Sequence, residues 1–256
     1  MLDVVLALLV WMVWQTVAFA FVSMKPALAL PWVIAVGVLF VRGYAVPGEW
    51  TSARRRAWLR IRPVPKPAVP WLWAMAPAMP ALAFSLLVLV TSLGMAGDTP
   101  LPKVVEDFAK QPGGAAVLFL AIAALAPLIE DFAFRGWVQR PLERRLGTAA
   151  GIGVTALLFA LAHLQPEGIP IRVAGGVALG YAVYAARSLW AGVALHAAWN
   201  VGLLVLSGVF PEFDPAKGGR EWALPAALGT VASGAWLAWT GVRLKAAARR
   251  RGGGGG

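Results

Sequence analysis

The sequence predicts an all-α fold, a polytopic transmembrane bundle of about eight membrane helices, and three observations carry that prediction. Of its 256 residues, 59% are hydrophobic and 14% charged, against about 45–50% and about 25% in soluble domains. The apolar residues gather in runs close to the ~20 that a helix needs to cross a hydrocarbon core. The Lys and Arg between those runs fall mainly in alternate loops, which is the bias of cytoplasmic connections. The same composition excludes intrinsic disorder and collagen.

Eight spans are expected, at 2–22, 27–41, 68–95, 115–134, 149–163, 169–186, 189–209 and 222–242. They form one integral membrane domain over 1–251. The first carries Asp3, no basic residue near its start, and an apolar run too long for a signal peptide. It reads as a membrane helix. Pro77 and Pro80 should kink the third span. The stretch 62–67 holds three prolines and reads as an extended linker. The glycine run 252–256 reads as a flexible tail without chemistry.

Charge sets the expected orientation. Arg42, Arg54, Arg55, Arg56, Arg60, Arg62 and Lys66 follow the second span, and Arg135, Arg140, Arg144 and Arg145 follow the fourth. Arg187 follows the sixth, and Arg243, Lys245, Arg249, Arg250 and Arg251 follow the eighth. The opposite side holds Lys25, Lys103, Lys110, Arg172, Lys217 and Arg220. Both termini are therefore expected in the cytoplasm, with the cell (plasma) membrane as the site of residence. Arg54, Arg55, Arg56 and the tail arginines read as topology signals, with anionic headgroup binding as a second reading. Trp50, Trp58, Trp137, Trp190 and Trp222 fall near span ends, where indoles anchor at the interface. The net charge of +11 belongs to these flanks. Membrane lipids, and no nucleic acid, are the expected partners.

The chain has no cysteine, so disulfides, thiolate nucleophiles and Cys–metal sites are excluded. Polar groups that a bilayer makes costly mark function. Within the spans they are Glu130 and Asp131 in the fourth, His163 ending the fifth, and His196 and Asn200 in the seventh. Both histidines of the chain are among them. Helical spacing puts His196 and Asn200 on one face, Phe159 and His163 on another, and lets Asp131 pair with Arg135. Glu130 projects about 100° away from Asp131, so the two acids need not share a role. Pro127 removes a backbone donor just before Glu130.

Such groups converging between helices can do two kinds of chemistry. A carboxylate can act as general base on a water while imidazole and amide donors stabilise an oxyanion. Alternatively Glu130, His163 and His196 can bind a divalent metal such as zinc, with a fourth position open for water. Spacing leaves both open. It offers no His-Glu-x-x-His pair, no Gly-x-Ser-x-Gly and no pair of aspartates on separate spans.

The pattern Glu130-Asp131-x-x-x-Arg135, then Phe159-x-x-x-His163, then His196-x-x-x-Asn200 resembles the three motifs of the CPBP intramembrane proteases. That family is also called Abi, or the CAAX-prenyl-endopeptidase type II family. The resemblance covers roughly 115–209. It implies peptide-bond hydrolysis within the membrane, acting on a membrane-associated or lipidated peptide or protein. Glu130 matches the family's first-motif glutamate, which acts with the histidine matched by His163 to activate water. His196 and Asn200 match residues assigned to the oxyanion site, and Arg135 matches the arginine closing the first motif. The family is often labelled metalloprotease, and a metal-free glutamate mechanism has also been argued for it. Asp131 departs from the commoner Glu-Glu pair. With Arg135 it is expected to support or orient the base.

Two other classes fit the same polar set less well. An immunity or scaffold protein that binds a peptide without cutting it has no need of five buried polar groups. A proton- or ion-coupled transporter should show inverted repeats or broken helices in matching halves, and no repeat is visible. One geometric condition follows for the protease. His163 sits far along its span while Glu130 sits near the end of its own. A fourth helix that runs on towards Pro141 would bring the two together.

Overall fold

The computed structural model describes residues 2–40, 52–95, 103–209 and 219–250. The 252–256 tail, Arg42, Trp50, Lys217 and Arg251 lie outside them. Every regular element among the described residues is helical. Helices α1 (Leu2–Phe19) and α2 (Pro26–Leu39) are followed by the short α3 (Ser52–Trp58). Next come α4 (Val69–Met75), α5 (Ala78–Ser92) and the short α6 (Lys103–Ala109). A continuous helical stretch, Gly114–Leu146, contains α7 (Gly114–Leu120), α8 (Ala126–Asp131) and α9 (Gln139–Leu146). The bundle closes with α10 (Thr148–Ala162), α11 (Ile169–Ala186), α12 (Leu189–Val209) and α13 (Ala223–Arg249).

Four stretches are long and apolar enough to cross a membrane: Lys66–Ser92, Gly114–Leu146, Pro166–Ala186 and Leu189–Leu206. They correspond to the third, fourth, sixth and seventh expected spans. The first, second and fifth correspond to shorter apolar helices, and the eighth to the first part of α13. The described residues are thus all-helical with four candidate membrane spans by this measure, and the count of about eight is not confirmed by it. Exposed Leu224, Leu228 and Val231 form one stripe on α13, and Leu9, Ile34, Val38, Phe119, Leu157 and Val205 also face outward. Apolar surface spread this widely suits lipid rather than water.

Proline decides two local features. The third span breaks between Met75 and Ala78 at Pro77, whose nitrogen has no hydrogen to donate. The Trp236 indole donates to the Ala74 carbonyl at 2.7 Å beside that break. In the central helix, Ala121–Leu125 winds as a π-helix, and the Ala126 N–H reaches back to the Ala121 carbonyl. In that register the Ile122 carbonyl would take its hydrogen from residue 127, which is a proline. The Ile122 carbonyl therefore has no backbone donor in that register, two turns before Glu130. A second π-helical stretch, Phe132–Val138, follows the acids.

The central helix organises the packing. In its apolar window 61% is buried, against 39%, 44% and 33% in the other three long spans. Its helix continues to Leu146, as the depth argument required. One apolar core lies against α1, α2 and α10 and includes Trp11, Phe40, Phe132, Phe134 and Phe159. Another lies among α4, α5, α11, α12 and α13 and includes Met75, Met79, Leu179, Leu195 and Trp199. The polar residues of the fourth, fifth and seventh spans sit where these two cores meet.

At one end of the bundle the chain is tied by charge. Arg60 grips the Glu143 carboxylate with both amino groups, at 3.2 and 2.5 Å. Both side chains are nearly buried, at 7% and 6% exposure. The Gln139 amide donates to Glu143 at 2.7 Å and to the Gly180 carbonyl at 3.0 Å, which carries the tie to α11. Removing one partner of a buried pair strands the other charge. Glu143→Ala is therefore expected to destabilise the folded bundle by about 3 kcal/mol, read as a lower thermal midpoint in detergent. The Arg60→Ala/Glu143→Ala double variant should recover part of that loss. A double variant that loses the sum of both single effects would show that the two side chains act independently.

Candidate active site

Three helices deliver the site. The central helix supplies Glu130 and Asp131 from α8 and Arg135 from the π-helical stretch after it. Helix α10 supplies Phe159 and, at its end, His163. Helix α12 supplies His196 and Asn200. Glu130, Phe159, His163, His196 and Asn200 all line one cavity of about 240 Å³. The residues matched across three motifs are therefore brought together.

The His196 imidazole lies between the two acids. Its Nδ1 is 2.8 Å from Asp131 Oδ2, and its Nε2 is 3.6 Å from Glu130 Oε2. Adjacent carboxylates that project in different directions from α8 thus meet the two ends of one ring. Asp131 is fully buried and faces the Arg135 guanidinium, with Nε 3.4 Å from Oδ1. A carboxylate held as an anion accepts, so His196 Nδ1 donates to it. The other nitrogen faces Glu130 at a separation longer than a hydrogen bond. Close approach here needs Gly192: a Cβ at that position would lie 2.7 Å from Asp131 Oδ1.

His163 is held differently. Its Nδ1 is 2.8 Å from the Phe159 carbonyl, which can only accept. The ring is therefore the Nδ1–H tautomer when neutral, and Nε2 keeps its lone pair. The imidazole in contact with Glu130 is that of His196. His163 shares the cavity with Glu130 without being its nearest ring.

Phe159 explains its place in the motif by contact. Its ring meets His163 edge-on at 4.7 Å and His196 at 5.8 Å, and the Arg135 guanidinium carbon sits 4.3 Å from its centre. One ring thus seats both histidines and gives the buried arginine a π-face. Asn200 donates to the Ile122 carbonyl at 2.8 Å. That is the acceptor left free by Pro127, so the asparagine closes the central helix against α12 with one of its two N–H groups.

Three further residues complete the site. Gln15 on α1 donates to Glu130 Oε1 at 3.0 Å. Arg172 and Trp199 line the cavity, and a Cβ on Gly175 would meet the Trp199 ring at 2.6 Å. Arg172 carried a signal in the sequence, being an arginine inside the sixth span. Gln15 carried none, since an amide in a first span is not visibly linked to an acid in the fourth.

The donor set was tested as a metal site. No group of three His, Cys, Asp or Glu side chains among the described residues is arranged to hold a metal ion. His196 turns both nitrogens to carboxylates, and His163 spends one on the backbone. The arrangement does not fit the three-ligand zinc site.

The fold and site define an integral membrane protein with a buried carboxylate–imidazole centre. Residues 112–202 match the family model described as Type II CAAX prenyl endopeptidase Rce1-like. The match contains all seven motif residues, Arg172 and Trp199, and leaves Gln15 outside. It supports the family resemblance carried by the motifs and, with it, a peptidase. No curated protein and no solved structure matches the chain.

With two histidines in the chain, ¹⁵N-histidine spectra of the purified protein resolve each ring by its loss in the corresponding Gln variant. His163 is expected with Nδ1 protonated and Nε2 bare at neutral pH. An Nε2-protonated neutral ring would contradict its bond to Phe159.

Proposed function

We propose that this protein is an intramembrane endopeptidase of the CAAX-prenyl-protease type. It hydrolyses a peptide bond of a membrane-associated or lipidated peptide. The observation that carries this reading is the convergence of Glu130, His163, His196 and Asn200 on one cavity between membrane helices. The Rce1-like match over the same residues supports it.

In this reading Glu130 is the general base. Gln15 holds its Oε1 and leaves the carboxylate aimed into the cavity. A water between Glu130 and the bare Nε2 of His163 loses its proton to the carboxylate as its oxygen attacks the carbonyl carbon. His196, when it carries a proton on both ring nitrogens, turns its Nε2–H, together with the second N–H of Asn200, to the oxyanion. Asp131 and Arg135 fix the His196 ring. Collapse of the tetrahedral intermediate breaks the C–N bond, and Glu130 returns its proton to the departing amine. The water stays in a site enclosed by Phe159, Leu179 and Trp199, where these polar interactions are stronger than in bulk water. No metal takes part. Both termini are proposed to face the cytoplasm, and membrane lipids surround the bundle.

The test is cleavage of a lipidated peptide by detergent-purified protein. Glu130→Gln should lower the rate at least about 1000-fold while leaving the thermal midpoint near that of the wild type. His163→Gln should cost about 100-fold or more. Chelator treatment should leave the wild-type rate unchanged. Full activity in Glu130→Gln would remove the glutamate from the chemistry. Loss of activity on chelation, restored by zinc, would replace the metal-free mechanism.

A further inference from the structure

A second cavity, of about 500 Å³, lies at the end of the bundle tied by Arg60 and Glu143. This is the size range of pockets that hold small ligands. It is bounded by the 62–65 segment, the end of α11 and the last turns of α13. Four cations line it: Arg62, Arg187, Lys245 and Arg249. Its described lining holds no carboxylate. The acid nearest to this network, Glu143, is already committed to Arg60.

Two of the cations, Arg62 and Lys245, have side chains held by neighbours. Arg62 Nε donates to the Arg187 carbonyl at 2.5 Å, and Ser188 Oγ donates to the Arg62 carbonyl at 2.5 Å. Arg187 has a positive φ of 52°, which turns the chain sharply at the end of α11. Lys245 sits 4.9 Å from the centre of the Tyr184 ring. Pro63 and Pro65 stiffen the facing wall. Burial and the neighbouring Arg187 and Arg60 cations hold the Arg62 guanidinium below its ordinary range. Like charges gathered around an open volume repel one another, and an anion entering it relieves that repulsion.

We infer that this pocket is a binding site for a phosphate group, separate from the peptidase cavity. Arginine forks and a lysine suit the several oxygens of a phosphate better than a single carboxylate. The phosphate can be a lipid headgroup or a soluble phosphate ester, and both present the same group.

Native mass spectrometry of the full chain in detergent, titrated with phosphatidylglycerol or phosphatidylcholine, tests the site. Calorimetric titration with inorganic pyrophosphate tests the soluble source. The wild type should retain one phosphatidylglycerol at least tenfold more tightly than phosphatidylcholine, or bind one pyrophosphate. Lys245→Gln/Arg249→Gln should weaken the observed ligand at least tenfold. Neither side chain is part of the buried core, so the bundle should keep its thermal midpoint. Arg145→Gln, at an exposed cation outside the pocket, should leave binding unchanged. As a second measurement, the bound ligand should raise the thermal midpoint of the wild type and not that of the double variant. Phosphatidylglycerol retention without pyrophosphate binding assigns a lipid headgroup, and pyrophosphate that displaces the lipid assigns a soluble phosphate. Absence of binding by either probe overturns the site. So does a loss in Arg145→Gln equal to that in the double variant, which would reduce the effect to diffuse charge.

Discussion

A charged cluster that has no bulk water to pair with constrains this structure more than any other feature. Glu130, Asp131 and Arg135 are buried at 4%, 0% and 1% exposure, and His196 at 5%. Burying such groups is costly unless each finds a partner inside the protein. The partners come from three different helices. Gln15 reaches from α1, Phe159 from α10 and His196 from α12, all to residues on the central helix. The contacts made to these charges are also the contacts that align the bundle.

The central helix makes this possible through irregularity. A regular α-helix satisfies its own backbone and offers no carbonyl to a neighbour. Pro127 prevents that in the π-helical turn, and Asn200 takes the freed Ile122 carbonyl. The seventh span is thereby joined to the fourth by a bond that no apolar contact could replace. Small residues serve the same end by distance: Gly192 lets α12 approach the Asp131 carboxylate closely enough for the imidazole to insert.

The two cavities divide the protein into different electrostatic regions. The inner one is lined by one acid, Glu130, one cation, Arg172, and both imidazoles. The charged groups of the outer one are all cations, and side-chain bonds from Arg62 and Ser188 to backbone carbonyls tie the 60–62 segment to the α11–α12 turn beside it. The Arg60–Glu143–Gln139 chain lies between them and ends on the Gly180 carbonyl of α11.

The sequence by itself determined that this is a helical membrane protein, because apolar runs and sparse charge admit no soluble core. It also singled out most of the candidate residues that the fold brings together. Glu130, Asp131, His163, His196 and Asn200 stood out as polar groups where a bilayer makes them costly, and Arg135 and Phe159 followed by helical spacing. The extent of the fourth helix beyond Arg135 was foreseen for the same reason. What spacing could not supply was which group faces which. Only the packing decided that one imidazole spans both acids, since adjacent residues on a helix diverge and meet again only on a third element. Packing likewise decided that Asn200 serves the backbone, that Gln15 touches Glu130 across 115 residues of sequence, and that loop and tail cations enclose a pocket. Those are relations between separate helices. Periodicity reports only on the helix in which it is read.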